Sequence, residues 1–396
     1  MPEKIGVLFL QAQEMFGADA AVHADIMRHL DRSKFEVHVA CTAGDGDAEP
    51  ASLRILREIP ELAIRSTRFA PSLFAKDLRA RLRSVRASAG FLADFAALRR
   101  YARRHRIRVI HSTERPRDSL YNVALAKLVG AKSIVHVHVK YTKEYSKLSQ
   151  WGVQHADAVF SISRFVTGTL VEMGRAPATI HTVLNGIEVS RWDPELDGSA
   201  LRRELGLPTD ALVLACVSRL FSWKGQRELV RAFGLASARF PDARLLIVGP
   251  DLTGGTYTAE LKEIARSVGA LERVLFTGPR SDVPQIMAAC DVFAMASFEE
   301  PFGLVFLEAM AMKKPVLALR TGGVPEVVMH EQTGLLSPPW DVPALAANIE
   351  TLLAGPELRA RMGERGRARV LERFRAERVG RDAGLAYERV LGLDSR

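Results

Sequence analysis

The feature that most limits the possible folds is the alternation of short apolar runs with longer segments of helical periodicity. The runs are continuously apolar, as parallel strands buried on both faces require. Strands that alternate with helical segments favour parallel sheets with crossover helices, so we predict an α/β fold. The predicted strands are Ile5–Leu10, Val37–Cys41, Val109–His111, Ser133–His138, Ala158–Ile162, Leu212–Val217, Arg244–Val248, Val274–Thr277, Val292–Met295 and Val316–Leu319.

A chain of 396 residues is long enough for two domains of ordinary size. Turn-forming residues between Val183 and Pro194 indicate a boundary there. We predict an N-terminal domain over residues 1–182, a second domain over 183–375, and a C-terminal helical segment over 376–396 that packs back toward the first domain. Doubly wound sheets bind ligands at the carboxyl ends of their strands, so the expected ligand site is a cleft between the two domains.

The segment Ser297–Met310 contains the richest set of residues that could bind a ligand. It follows a predicted strand, and Gly303 allows close approach of the backbone to a ligand just before an apolar helix that begins near Leu304. The free N–H groups and the dipole of such a helix start favour an anion. Glu300 and Glu308 flank this site, and from this segment alone they are equally consistent with ordinary surface carboxylates.

Two further loops follow predicted strands. Arg219 and Lys224 lie in a strand-to-helix loop, where two fixed cations can hold a diphosphate or remain simply solvated. Gly322 and Gly323, followed by Glu326, form either a tight turn or a backbone-lined site for a sugar or phosphate.

Together these loops resemble the family 4 glycosyltransferases of the GT-B fold. The resemblance is continuous from about residue 183 to 375 and weaker before it. The residues that carry it are Glu300, Phe302, Gly303, Glu308, Ala309 and Met310 in a Glu-x7-Glu pattern, with Arg219, Lys224-Gly225, Lys314-Pro315-Val316, Gly322-Gly323-Val324-Pro325-Glu326 and Asn185-Gly186.

This resemblance implies two Rossmann-like domains that face each other across a cleft, with the acceptor on the N-terminal side and the nucleotide-sugar donor on the C-terminal side. It implies transfer with retention of anomeric configuration and without a metal or other cofactor. By the same resemblance, Arg219 and Lys224 hold the diphosphate, Glu300 the transferred sugar and Glu308 the ribose. The implied catalytic residues are Glu300, His138, Arg219 and Lys224, and the implied donor-binding residues are Gly17, Arg219, Lys224, Phe302, Gly303, Leu304 and Glu308. Base recognition near Arg280 is expected to use the backbone.

Histidines stand at the ends of two predicted strands. His138 matches the strand-end histidine of the family, and His136 points to the same face of an extended strand. The strand end His111–Glu114 is expected on the same side of the sheet. Without the family context, a lone histidine at a strand end is more often structural than catalytic, and no Cys, His or Asp at useful sequence spacing supports a metal site.

Other cofactor sites are disfavoured. Asp45 and Asp47 form a D-x-D triplet, but they lie among Gly and Asp residues typical of a turn, so we expect no metal there. No strand is followed by G-x-G-x-x-G, which argues against a dinucleotide-dependent oxidoreductase, and no Walker A sequence occurs. An isomerase of nucleotide-sugars on the same fold remains an alternative.

Positive charge is concentrated in Lys76–Arg108. This segment carries 11 Lys and Arg against two Asp, an excess equal to the net charge of +9 of the whole chain. An apolar stripe at helical spacing faces away from three arginines, which suits an anionic membrane surface; a solvated helix face and nucleic-acid binding are the alternatives. The stripe residues are Leu78, Leu82, Val85 and Ala89, and the arginines are Arg79, Arg83 and Arg86.

The sequence therefore predicts a glycosyltransferase that moves a hexose-type sugar from a nucleotide-diphosphate sugar to a saccharide or lipid-linked acceptor. No segment approaches the roughly 18 apolar residues of a spanning helix, and three separated cysteines suit a reducing compartment. We expect a cytoplasmic protein that associates peripherally with the inner face of the membrane and does not bind nucleic acid.

Overall fold

The computed structural model describes residues 3–13, 17–42, 51–69 and 92–393. The chain divides into two compact units. Unit 1 comprises Met1–Asn185 together with Ala376–Arg396, and unit 2 comprises Gly186–Arg375. The first crossing between the units, at Asn185–Gly186, falls in the turn segment on which the predicted boundary rests.

Each unit contains one parallel sheet, of seven strands in unit 1 and six in unit 2. The strand order is β3-β2-β1-β4-β5-β6-β7 in unit 1 and β10-β9-β8-β11-β12-β13 in unit 2, so the order reverses at β1/β4 and at β8/β11. The strands are β1 (Ile5–Gln11), β2 (Phe35–Thr42), β3 (Ala63–Thr67), β4 (Ile107–Thr113), β5 (Lys132–Val137), β6 (Ala158–Ser161), β7 (Ile180–Thr182), β8 (Val213–Val217), β9 (Arg244–Val248), β10 (Val274–Gly278), β11 (Val292–Met295), β12 (Val316–Leu319) and β13 (Gly334–Ser337).

Helices connect the strands, as the predicted crossovers require. They are α1 (Ala18–His29), α2 (Ala51–Arg57), α3 (92–104), α4 (Pro116–Val129), α5 (Lys147–His155), α6 (Arg164–Glu172), α7 (Ser199–Glu204), α8 (Gln226–Ser237), α9 (Thr256–Ser267), α10 (Val283–Ala289), α11 (Leu304–Ala311), α12 (Val324–Val327), α13 (Val342–Ala354), α14 (Pro356–Arg373) and α15 (Ala376–Val390).

The last helix belongs to unit 1, where α15 packs against α1. Gly380 makes this close approach possible, since a Cβ there would lie 2.5 Å from the carbonyl carbon of His29. On the same helix, the buried Tyr387 reaches the sheet, where its hydroxyl lies 2.8 Å from Nδ1 of His111 on β4.

The predicted strands are confirmed to within two residues at each end, apart from three strands that the prediction omitted. The omitted strands are β3, β7 and β13, and each is an edge strand of its sheet. Edge strands are short and need less apolar surface than central ones, so their sequence signal is weak.

Several predicted features fall outside the described residues, namely Asp45, Asp47, and the basic stretch Lys76–Arg86 with its apolar stripe. The described part of the basic segment includes α3, which carries Arg99, Arg100, Arg103 and Arg104. Across the described ranges, no helix combines the length and the apolar character that crossing a membrane demands.

Candidate functional site

In unit 2, the loop after β8 carries both predicted cations. A short 3-10 turn over Ser222–Lys224 leads into α8 through Gly225, whose φ is 70°. A Cβ on Gly225 would lie 1.8 Å from the carbonyl oxygen of Ala296, so this glycine lets the loop approach the end of β11. A pocket here is lined by Arg219, Phe221, Trp223, Lys224 and Leu252.

Lys224 and Glu300 join the loops that follow β8 and β11. Nζ of Lys224 lies 2.7 Å from Oε2 of Glu300, and the two side chains are only 12% and 9% exposed. Nζ also lies 4.0 Å from the ring centroid of Trp223, which adds a cation–π contact. Since Lys224 has three donors and Glu300 a second oxygen, the pair retains hydrogen-bonding capacity for a ligand.

Gly303 ends the loop after β11 and caps α11 with a φ of 86°. The helix begins at Leu304, which is half-buried, and its first N–H groups have no intrahelical partner. The Phe302 side chain is 1% exposed and packs against Phe374, at 6.0 Å between ring centroids. Phe302 is one of the predicted donor-binding residues, and in the structure its side chain supports the loop from the core side.

Glu308 lies one turn into α11, and part of its side chain is accessible to solvent. Its carboxyl group is enclosed by protein, and burial raises its pKa from 4.5 to about 7. A carboxylate in such a place is costly without a partner, so a ligand hydroxyl that donates to it would be favoured.

The glycine pair after β12 supports the backbone of Glu300. Gly323 N–H donates to the carbonyl oxygen of Glu300 at 2.8 Å. At Gly322 φ is 61°, and a Cβ would lie 2.5 Å from the same carbonyl oxygen. The loops after β8, β11 and β12 thus converge on Glu300. Arg280 instead pairs with Asp282 and Glu204, at 2.6 and 2.7 Å.

In unit 1, His138 directly follows β5. Its backbone N–H donates to Oε2 of Glu114 at 3.3 Å, and its Nε2 lies 3.4 Å from Nε2 of His23. Burial lowers the pKa of His138 to about 4 and raises that of Glu114 to about 7. His138 is therefore neutral at physiological pH. Gly17 precedes α1 with an extended backbone that does not require glycine.

Sequence reasoning missed His23, which packs between His138 and His111, with 5.3 and 4.7 Å between ring centroids. It also missed Tyr387, on the far C-terminal helix. Neither residue has a motif around it, and only the parallel order of β1, β4 and β5 places them together. The His-x-His alternation at the end of β5 was the one available signal.

Two family models match the chain. Residues 20–191 match the model described as Glycosyltransferase Family 4, and residues 197–369 match the model described as Glycosyl transferases group 1. The first range runs from within α1 to just beyond Asn185, and the second range lies within unit 2.

Individual relatives match over part of their length. N-acetyl-alpha-D-glucosaminyl L-malate synthase of Bacillus anthracis is 32% identical over 249 residues, 63% of this chain and 64% of that protein. GDP-mannose-dependent alpha-(1-6)-phosphatidylinositol monomannoside mannosyltransferase of Mycolicibacterium smegmatis is 36% identical over 228 residues, 55% of this chain and 59% of that protein. The matched region thus spans less than two thirds of these relatives.

A solved structure matches over nearly the whole chain. The crystal structure of Anabaena HepE in complex with UDP has a TM-score of 0.80 at 24% identity, covering 97% of this chain and 100% of that one. This likeness confirms the predicted GT-B fold. With both halves matched by their family models, the chain belongs to the family 4, or group 1, glycosyltransferases.

Proposed function

We propose that the protein transfers a sugar from a nucleotide-diphosphate sugar to a saccharide or lipid-linked acceptor, and that unit 2 holds the donor. The observation that carries this proposal is the contact between Lys224 and Glu300 beside the start of α11. It brings a cation, a carboxylate and free backbone N–H groups to the strand ends where an α/β sheet binds its ligand. A relative named as a GDP-mannose-dependent mannosyltransferase supports a nucleotide-sugar donor.

In this proposal, Arg219, Lys224 and the first N–H groups of α11 bind the donor diphosphate. They stabilise the negative charge that develops on the leaving nucleoside diphosphate as the glycosidic bond breaks. Glu300 accepts hydrogen bonds from hydroxyls of the transferred sugar, and Glu308 accepts them from the ribose. Because the cations neutralise the diphosphate, we propose that transfer needs no metal at this site. Retention of anomeric configuration rests on the family resemblance, and proton NMR of the product tests it.

The salt bridge has a consequence for the donor-free protein. Removing one partner of a buried ion pair leaves an uncompensated charge, which typically lowers the free energy of unfolding by about 3–5 kcal/mol. Lys224 therefore holds the Glu300 carboxylate in place in the donor-free protein. When a diphosphate binds, Nζ can contact a phosphate oxygen while it retains Glu300, because an ammonium group has three donors.

The test is the turnover of Arg219→Ala and Lys224→Ala. Each should lower kcat/KM by about 100-fold or more, the usual effect of removing a group that stabilises transition-state charge. Matched controls are Arg231→Ala and Lys262→Ala, which remove exposed cations from α8 and α9 and should leave turnover unchanged. Wild-type-like activity in either site variant contradicts the proposed placement of the diphosphate.

Product analysis also separates transfer from isomerisation, since an isomerase would release an epimeric nucleotide-sugar without an acceptor.

We further propose that unit 1 presents a lipid-linked or envelope-saccharide acceptor at an anionic membrane surface. The net positive charge of Lys76–Arg108 supports this, since each basic residue near such a surface contributes about 1 kcal/mol. The relative named for a phosphatidylinositol mannoside acceptor is consistent with it. Co-sedimentation with liposomes should require anionic lipid and weaken with salt. It should also fall when four arginines of this segment, Arg79, Arg81, Arg83 and Arg86, are changed to Gln. Failure to bind anionic liposomes at low salt favours a soluble acceptor.

A further inference from the structure

Unit 1 encloses three imidazole rings between its sheet and α1. His111 lies on β4, His136 on β5 and His23 on α1, and all three side chains are fully buried. His111 pairs in register with Ile134, two residues before His136, so both rings lie on one face of the sheet. Phe9 and Phe160 flank them, with centroids 4.8 Å from His111 and 5.7 Å from His136.

The three rings converge. Their centroids are 4.7 Å apart for His23 and His111, 5.4 Å for His23 and His136, and 5.3 Å for His111 and His136. One ring nitrogen from each residue lies within 4.8 Å of the corresponding nitrogens of the other two. The three residues can therefore each offer one ring nitrogen to a common ligand.

Only some of the ring nitrogens have a hydrogen-bond partner. Nδ1 of His111 contacts the Tyr387 hydroxyl at 2.8 Å, and Nε2 of His23 contacts His138 at 3.4 Å. Among the described residues, Nε2 of His111, Nδ1 of His23 and both nitrogens of His136 have no hydrogen-bond partner. Each buried polar group left in this state costs about 1–3 kcal/mol, so a cluster of four calls for a physical explanation.

We propose that His23, His111 and His136 bind a divalent transition-metal ion, with zinc as the ion of choice. Imidazole nitrogen is a preferred ligand of zinc, and three histidines with one remaining position for water form a known zinc ligand set. A metal ion bound to one nitrogen from each ring would provide a partner for His136, whose two nitrogens have none among the described residues.

The surrounding contacts fit this role. If Nε2 of His111 binds the ion, Nδ1 carries the proton and donates it to the Tyr387 hydroxyl, the kind of partner that orients metal-bound histidines. A small pocket lined by Gln11, Gln13, Thr113, Asp118 and Ala20 reaches His23.

The observed spacing requires only a modest closure. Tetrahedral zinc with Zn–N distances of about 2.0–2.1 Å places ligand nitrogens about 3.3 Å apart. Nitrogens that already lie within 4.8 Å of one another need to move by about 1.5 Å at most.

This inference does not rest on the proposed transferase function. The ion would lie in unit 1, whereas the diphosphate is proposed to bind Arg219 and Lys224 in unit 2. Zinc binding is measured directly, and neither sugar transfer nor donor binding enters the test.

The experiment uses the full chain, stripped with a strong chelator and then titrated with Zn²⁺ by calorimetry, with metal content measured after gel filtration. We expect one Zn²⁺ per chain, a higher Tm, and with Co²⁺ the intense visible absorption of a four-coordinate site. His136→Leu, which keeps the volume of the ring, should lower Zn²⁺ affinity by more than about 100-fold, and Tyr387→Phe, which removes only the hydroxyl, by about 10–100-fold.

Two control variants locate the ion. His155→Gln changes a histidine on α5, whose Nδ1 contacts the Trp151 carbonyl, and should bind Zn²⁺ like the wild type. His105→Gln disrupts the second group of possible ligands, Glu36, His38 and His105, and should also bind normally. The proposal is overturned if the wild type shows no saturable Zn²⁺ binding. It is also overturned if His105→Gln rather than His136→Leu abolishes binding, or if Tyr387→Phe and a folded His136→Leu both bind as the wild type does.

Discussion

Ionisation of Glu308 should destabilise unit 2, and Glu308→Gln should remove that effect. Burial raises its folded-state pKa to about 7 from the ordinary 4.5, so the folded protein holds this proton at higher pH than the unfolded chain does. Stability is therefore lost as the pH rises from about 4.5 to about 7, and the loss is complete above that. The full difference between these two pKa values corresponds to a loss of about 3 kcal/mol in the free energy of unfolding. Because part of the side chain is accessible to solvent, we expect a loss of about 1–3 kcal/mol.

Urea unfolding of the wild type and the variant at pH 5 and pH 8 measures this effect. Tryptophan fluorescence is a suitable signal, because Trp192, Trp223 and Trp340 belong to unit 2. We expect Glu308→Gln to be more stable than the wild type at pH 8 and to lose most of that advantage at pH 5. Glu357→Gln, at an exposed position on α14, is the control and should show no such pH dependence.

The same substitution tests the role proposed for Glu308 toward the ribose. The amide can still accept a hydrogen bond, but it lacks the charge that strengthens the bonds from ribose hydroxyls. The variant should therefore gain stability at pH 8 and lose affinity for a free nucleoside diphosphate, which calorimetry would detect. An equal stability difference at pH 5 and pH 8 would refute the argument from burial. Unchanged nucleotide affinity would refute only the ribose assignment.

Three other predictions concern unit 2. Glu300→Gln should weaken nucleotide-sugar binding while binding of the free nucleoside diphosphate stays nearly intact; calorimetry with both ligands checks this, and equal losses would contradict the sugar role. Gly322→Ala should lower turnover, since its Cβ would lie 2.5 Å from the Glu300 carbonyl at a φ of 61°. Gly269→Ala, at a φ of 67° with no atom within 4 Å, is the control in the same kinetic assay, and equal losses would exclude a steric cause. Calorimetric binding of a nucleoside diphosphate should be the same in EDTA and in Mg²⁺ if Arg219 and Lys224 replace a metal; loss in EDTA that Mg²⁺ restores would disprove it.

The sequence was sufficient to predict the strand ends that form the candidate site of unit 2. Central strands such as β8 and β11 are buried on both faces, so their apolar runs are continuous and easily recognised. Once parallel strands are predicted, their carboxyl ends must lie along one edge of the sheet. The contact between Lys224 and Glu300, 76 positions apart in the chain, follows from that rule together with the loop motifs.

The histidine group of unit 1 could not be predicted in the same way. His23 comes from a helix, His111 and His136 from two strands, and Tyr387 from a helix 276 positions after His111. Metal ligands on one helix or in one loop have a recognisable spacing, whereas ligands from separate elements have none. The sequence predicts that the C-terminal segment packs back toward unit 1, but no local pattern marks Tyr387 as the side chain that reaches His111.

The two units place their polar groups by the same rule of topology. In unit 1 the strand order reverses between β1 and β4, and in unit 2 between β8 and β11. Crossover helices leave in opposite directions at such a point and open a crevice at the strand ends. Glu114 follows β4 and contacts His138, and Glu300 follows β11 and contacts Lys224. The topology therefore supplies a crevice in each unit, and the side chains decide its chemistry. Neutral imidazoles in unit 1 suit a metal ion or neutral hydroxyls, whereas fixed cations in unit 2 suit a diphosphate.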